Sequence, residues 1–286
     1  MDVDFSLTSS SDIPLLWCTR PVEQNRSWLA RLHKAGFDTI DLPFLSITAV
    51  ENKRDIEQIK TRILHLDQYK IIIFVSQNAV SHGLDWIESY WPQCPVDISW
   101  YAVGTKTAGL LKAGLDKVFN EDIQVHAADS AMTSENLLSL PSLARVSGER
   151  ICVMRGLGGR PKLMDALVER GAHVDLCELY ERRIPAAAYQ RFNEILQKQY
   201  ACNFKLERNY IVVFSGETLN NFYTLLTRIE TEDASSNLIE MFKQALSLFV
   251  PSERVAMQAR ELGFSQVLCA KNATEGAMLA EISKLS

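Results

Sequence analysis

Arg155 to Arg160, RGLGGR, sets two guanidinium groups around three glycines directly after the apolar run ICVM. A turn of this kind leaves amide N–H groups unpaired at a helix start, where the positive end of the helix dipole favours anions. Arginine forks add charge-assisted hydrogen bonds to carboxylate or phosphate. Two nucleotide fingerprints fail on the residues. A P-loop needs Gly-Lys-Ser/Thr where Gly159-Arg160-Pro161 stands, and a dinucleotide turn needs a glycine in place of Pro161. What remains is a generic anion nest with Arg155 and Arg160 as its arms, or a plain βα turn with solvated arginines. Arg20, in CTRP, takes the matching place in an earlier stretch.

Hydroxyl groups form the second set. Ser76, Thr105, Ser215 and Ser252 each stand where an apolar run gives way to a helical pattern. Each taken alone reads as an N-cap, worth about 1 kcal/mol. Together, at one edge of a parallel sheet, they would form rims of N–H and O–H donors facing a common cleft, suited to a ligand with many carboxylates. Thr107 reads as part of such a rim or as ordinary helix surface. No GxSxG elbow marks any of these serines as a nucleophile. Tyr180, in CELYERR, could donate a proton to a leaving hydroxyl or simply pack as an aromatic. Glu23, Glu178, Glu181 and Glu217 lie near the same edges with nothing but position to mark them.

The elements that must position these residues recur in the order A-B-C-A-B-C. LLWCTRPVEQNRSWLARLHKAGF returns in outline as ICVMRGLGGRPKLMDALVERGAHV, with leucines at helical spacing and Gly36 or Gly171 as the helix stop. YKIIIFVSQNAVSHGLDWI is echoed by NYIVVFSGETLNNFYTLL, and WYAVGTKTAGLLKAGL by LFVPSERVAMQARELGF, where Gly114 and Gly263 are expected to end the helices. Strands alternating with helices at this spacing predict parallel sheets with helices on both faces and ligands at the carboxyl ends of the strands. Two extended, Pro-containing stretches, FDTIDLPFLSITAV and VDLCELYERRIPAAA, read as crossings between domains. Domain 1 is expected at 14–44 and 184–286, domain 2 at 48–178, crossings at 45–47 and 179–183, and an N-terminal extension at 1–13. Two thin crossings make interdomain motion the default expectation. The stretches near 199–208 and 229–245 read as surface insertions, the second with a helix of its own.

With 286 residues, 47% of them hydrophobic and 23% charged, the chain has material for two real cores. The net charge of −5 provides no basic field for nucleic acid, so any anion site must be local. Six scattered cysteines without a CxxC pair fit reduced thiols of a cytoplasmic protein. The five histidines form no metal-ligating pattern, so no metal or cofactor is expected. No apolar run approaches the roughly 20 residues that span a bilayer. The start lacks the features of a secretory signal, and a monomer is expected.

CTRP, FVSQNAV, AVGTKTA, RGLGGR, LYERRIP and VPSERVA, in this order, resemble the uroporphyrinogen-III synthase family over about Leu15 to Leu279. Each motif alone would be a common βα turn; their joint order carries the resemblance. It implies two flavodoxin-like α/β domains, each a parallel sheet flanked by helices, joined by a two-stranded linker, with the first A unit packed against the later B and C units. It implies a cofactor-free cyclising lyase of tetrapyrrole (heme) biosynthesis. The substrate would be hydroxymethylbilane, a linear tetrapyrrole with eight carboxylates. The enzyme dehydrates it, inverts the last ring and closes the macrocycle. The position matching Tyr180 is the family's favoured candidate for assisting hydroxyl departure, with a substrate propionate as the alternative. The resemblance carries Arg20, Ser76, Thr105, Thr107, Arg155, Arg160, Ser215 and Ser252 over as substrate-binding, although SGETLNNF, around Ser215, departs from the SQNAV pattern. It is compatible with transient contact with hydroxymethylbilane synthase. Two rival readings are a non-catalytic two-domain module for a polycarboxylate ligand and a nucleotide-dependent enzyme, the latter opposed by both failed fingerprints.

Overall fold

A computed structural model describes residues 13–128, 134–201, 208–233 and 236–285. The strands are β1 (Leu15–Cys18), β2 (Asp38–Asp41), β3 (Ser46–Ala49), β4 (Ile71–Phe74), β5 (Ser99–Ala102), β6 (Val125–His126), β7 (Arg150–Gly156), β8 (His173–Arg183), β9 (Asn209–Val212), β10 (Ser247–Val250) and β11 (Gln266–Cys269). The principal helices are α1 (Val22–Lys34), α2 (Lys53–Leu64), α3 (Gln77–Tyr90) and α4 (Thr105–Phe119). After the short α5 (Ser134–Leu138) and α6 (Pro141–Ala144) come α7 (Lys162–Glu169), α8 (Ala188–Ala201), α9 (Gly216–Asp233), α10 (Ser236–Ala245), α11 (Glu253–Glu261) and α12 (Glu275–Ile282). The expected N-terminal extension lies almost wholly outside the described residues, as does Cys202. The second insertion does carry a helix, α10.

The chain divides into two compact units. One is Ile47–Arg182; the other joins the described residues up to Ser46 to those from Arg183 on. Each has its own sheet. The discontinuous unit has the order β11-β10-β9-β1-β2, parallel throughout. Here the first A strand pairs with the later B strand, as the family resemblance implied. The continuous unit has the order β3-β8-β7-β4-β5-β6, parallel from β8 to β6. Matching the A, B and C strands shows one spatial order used twice. The chain enters it at the A strand in the first case and at the B strand in the second.

Both faces of each sheet are covered. In β4, Ile72 and Phe74 join one core with α2, α3 and α4, while Ile71 and Ile73 join another with α5, α6 and α7. This explains the unbroken apolar run IIIF, all four residues of which are buried. In β1, Trp17 faces the α8–α11 side, whereas Leu16 and Cys18 face α1 and α12. Each fully buried aliphatic side chain stabilises by about 1.5–3 kcal/mol.

Two local expectations change. Gly36, Gly171 and Gly263 have positive φ just beyond α1, α7 and α11, but Gly114 does not end α4, which runs on to Phe119 and closes at left-handed Asn120. A Cβ at Gly114 would collide with Leu84, so the glycine provides close α3–α4 packing. Thr105 is not the cap of α4; Gly104, at φ 85°, takes that position and Thr105 begins the helix.

Candidate active site

In the continuous unit the strand order reverses between β7 and β4, the switch point at which open α/β sheets bind ligands outside their carboxyl ends. The sequence-identified residues collect there. Ser76 follows β4 and caps α3, its Oγ accepting the Ala79 N–H at 3.1 Å. The same Oγ lies 3.0 Å from the Tyr180 phenol oxygen. Arg155 and Gly156 end β7.

Tyr180 reaches Ser76 because β8 is irregular. Arg155 pairs with Glu178 and Gly156 with Tyr180, so Leu179 is an extra residue between them. Strict alternation would send Tyr180 to the side of Val174 and Leu176, which pack in the α5–α7 core. Instead Cys177, Leu179 and Tyr180 all join the α2–α4 core. Re-aiming one side chain is a characteristic use of a bulge beside a functional site. The Tyr180 ring, only 3% exposed, stacks on His82 at 5.6 Å and 20°. Its carbonyl accepts the Leu157 N–H at 2.7 Å.

The glycine-rich turn wraps its own arginine. Arg155, 6% exposed, donates from Nε to the Gly156 carbonyl at 3.2 Å and from Nη1 to the Arg160 carbonyl at 3.4 Å. Glu178 sits 3.9 Å from Arg155 Nε and accepts the Gly158 N–H at 3.3 Å. A carboxylate of the chain itself therefore occupies the nest, and Arg155 organises the turn. The Arg160 side chain is exposed.

Thr107 is buried, not ordinary helix surface. It shares a stripe with Leu111, Leu115 and Phe119 at four-residue spacing, a signal present in the sequence. Thr105 is exposed.

In the other unit the reversal falls between β1 and β9. Arg20, following β1, pairs with Glu275 at 2.7 Å, donates to Gln24 and lies 4.4 Å over the Phe214 ring. Ser215 follows β9; its Oγ accepts the Thr218 N–H at 3.1 Å and lies 2.9 Å from the Thr218 hydroxyl. Ser252 stands at the N-cap of α11 with extended backbone, but its side chain makes no capping bond. Within each unit, then, the sequence-identified residues gather at the carboxyl edge.

The continuous unit also has a cavity of about 540 Å³ at the opposite, amino-terminal edge of its sheet, lined by residues including Arg54, Arg62, Tyr69, Arg150 and Asp175. Its polar groups bond one another: Tyr69 donates to Asp175 at 2.9 Å, and Arg150 reaches Gln68 and Asp175. This pattern supports the strand starts and is remote from the hydroxyl pair. Among the described residues no three metal-ligating side chains converge, and no helix is long and apolar enough to cross a membrane.

Comparison with known proteins agrees with this architecture. Two solved structures match nearly end to end. One is a mutant uroporphyrinogen III synthase from the extreme thermophile Thermus thermophilus, with TM-score 0.54 and 16% identity over 95% of this chain and 98% of that one. The other is the Helicobacter pylori enzyme, with TM-score 0.53 and 17% identity over 96% and 100%. At these identities the likeness speaks for the fold. The uroporphyrinogen-III synthase of Escherichia coli is 29% identical over 91% of this chain and 96% of its own length, and that of Proteus mirabilis 28% identical over 66% and 92%. The family model described as uroporphyrinogen-III synthase HemD matches residues 26–280. Most of the chain lies within that match, and it belongs to the uroporphyrinogen-III synthase family.

Proposed function

We propose that the chain acts as a uroporphyrinogen-III synthase on hydroxymethylbilane, with the Ser76–Tyr180 hydroxyl pair assisting departure of the terminal hydroxyl. The observation that carries this reading is their 3.0 Å contact at the switch point, on the N-terminus of α3. Two hydroxyls have two O–H groups. Whichever residue donates in the mutual bond, one O–H is left to donate elsewhere, because the Ala79 contact uses only an acceptor site. That O–H protonates the leaving hydroxyl, which departs as water while the pyrrole nitrogen supplies electrons to form an azafulvene cation. The oxyanion left on the pair is stabilised by the Ala79 N–H and the α3 dipole. The substituted carbon of the last ring then attacks to give a spiro intermediate. Its bond to the original methylene bridge breaks to leave a second azafulvene, and the ring's free carbon closes on that methylene. The hydrogen it loses returns the proton to the pair, so the net change is loss of one water.

Most of the enzyme's work in this scheme is conformational. Spontaneous closure uses the free ring position, so the protein must present the substituted one. In the continuous unit we assign carboxylate holding to the exposed Arg160 and to N–H groups at the helix start after β5. In the other unit Ser252, whose hydroxyl is not engaged in capping, and the helix starts after β9 and β10 offer donors of the same kind. Arg20 and Arg155, held by their own neighbours, shape those edges. The five described cysteines are free thiols, which supports a reducing, cytoplasmic setting, and we read the protein as a monomer.

The test is incubation with hydroxymethylbilane made in situ, then oxidation and separation of the isomers. The reading expects type III uroporphyrin. Type I alone, at the spontaneous rate, would leave a polycarboxylate-binding protein.

A further inference from the structure

We infer that His82 and Gly156 are positioning residues that hold the Tyr180 phenol against Ser76; this rests on the reading of Tyr180 as part of the proton-donating pair. One hydrogen bond fixes the distance of a phenol oxygen but not the plane of its ring. Two features fix the plane here. The His82 imidazole stacks on the ring at 5.6 Å and 20°. Gly156 lies against the hydroxyl end: a Cβ there would stand 2.6 Å from Cε2, 2.7 Å from Cζ and 3.1 Å from the phenol oxygen. Any side chain there would stand closer to the ring than the 3.0 Å that real Cβ atoms keep, so the ring or the strand would have to shift.

His82 belongs to the same helix that Ser76 caps, so one element carries both the partner of the hydroxyl and the support of the ring. Gly83, the next residue, allows that helix its close seat, since a Cβ there would meet Phe74 at 2.7 Å and Leu179 at 3.1 Å. The imidazole is half-buried. A planar ring, and not a particular nitrogen, is what the stack requires.

The experiment is a double-mutant cycle on kcat and KM. His82→Ala should lower kcat by about five- to tenfold with KM within about twofold, the cost of a misaligned donor rather than a lost one. His82→Phe, which keeps a flat ring, should restore most of the loss. In a Tyr180→Phe background, His82→Ala should cost nothing further, because there is no hydroxyl left to align. Gly156→Ala should lower kcat more than His82→Ala, with a larger share of type I product. A purely structural His82 would shift the unfolding midpoint and cut kcat equally in both backgrounds, and that outcome overturns the inference. Wild-type kcat in His82→Ala, or no rescue by His82→Phe, overturns it as well. The prior reading fails separately, if Tyr180→Phe alone turns over at the wild-type rate.

Discussion

Ser76 and Tyr180 share a hydrogen bond but differ in what else they do, and this separates two substitutions. Tyr180→Phe keeps the ring in its core and removes one hydroxyl, so turnover should fall by more than about tenfold, roughly 1.4 kcal/mol of barrier, with little change in stability. Ser76→Ala removes the same bond and the cap of α3, so a turnover loss should come with about 1 kcal/mol of lost stability. Equal stability losses in denaturant titrations of the two variants would contradict this division. Cys18 makes a different prediction. Burial, with the Asp41 carboxylate second, pushes its thiol up from 9.0 to about 12. A raised acid pKa means that the folded state keeps its proton where the unfolded chain has lost it. The contribution to stability is therefore full below pH 9 and declines as pH rises toward 12. The slope is at most about 1.4 kcal/mol per pH unit for one such group. Cys152, held up by its neighbour Cys177 and by burial, acts in the same direction. The stability difference between pH 8 and pH 10.5 should shrink in Cys18→Ala, and an unchanged difference would show that Cys18 ionises as freely folded as unfolded.

At the scale of elements, the site depends on how closely α3 lies on the sheet. Gly83→Ala improves helix propensity by about 1 kcal/mol but drives a methyl into Phe74, a ring with no exposed surface. Overpacking of a filled core costs about 1–3 kcal/mol, so we expect net destabilisation. Turnover should fall in step as Ser76 and His82 are lifted from Tyr180. A variant as stable and active as the wild type would show that α3 can shift freely. The same element marks what could be read from the chain alone. Local signals were enough for the six strands of the repeated units, β1, β4, β5, β7, β9 and β10, for the glycine stops at Gly36, Gly171 and Gly263, and for the serines at the heads of α3 and α9. Gly114 misled because a glycine demanded by a neighbouring helix looks the same as one that ends its own helix. The burial of Thr107, against its reading as ordinary helix surface, follows a period of four with Leu111, Leu115 and Phe119. The bulge at Leu179 and the stacking of His82 had no local signature: register depends on a partner strand, and Ser76 meets Tyr180 across 104 residues.

For the whole molecule, the two sheets share one strand order, but only one unit is made from continuous chain, Ile47–Arg182. It fills both faces of its sheet with its own residues, Phe74, Leu111 and Leu179 on one side and Ile73, Leu143 and Leu167 on the other. The Ser46 hydroxyl donates to the Arg183 carbonyl at 3.1 Å, so the chain leaves the other unit and returns to it at nearly the same point. An insertion with its own core and adjacent ends should fold when excised. We predict that residues 47–182 alone give a native-like near-ultraviolet dichroism and one cooperative urea transition, with a slope of about 1–3 kcal/mol/M. Helical signal without fixed aromatic dichroism, or a broad non-cooperative transition, would mean that this unit is completed by the rest of the chain. The fragment keeps Ser76, His82, Gly156 and Tyr180 but lacks Arg20, Ser215 and Ser252. If it folds, it should retain the hydroxyl pair, and with it the 3.0 Å contact between Ser76 and Tyr180.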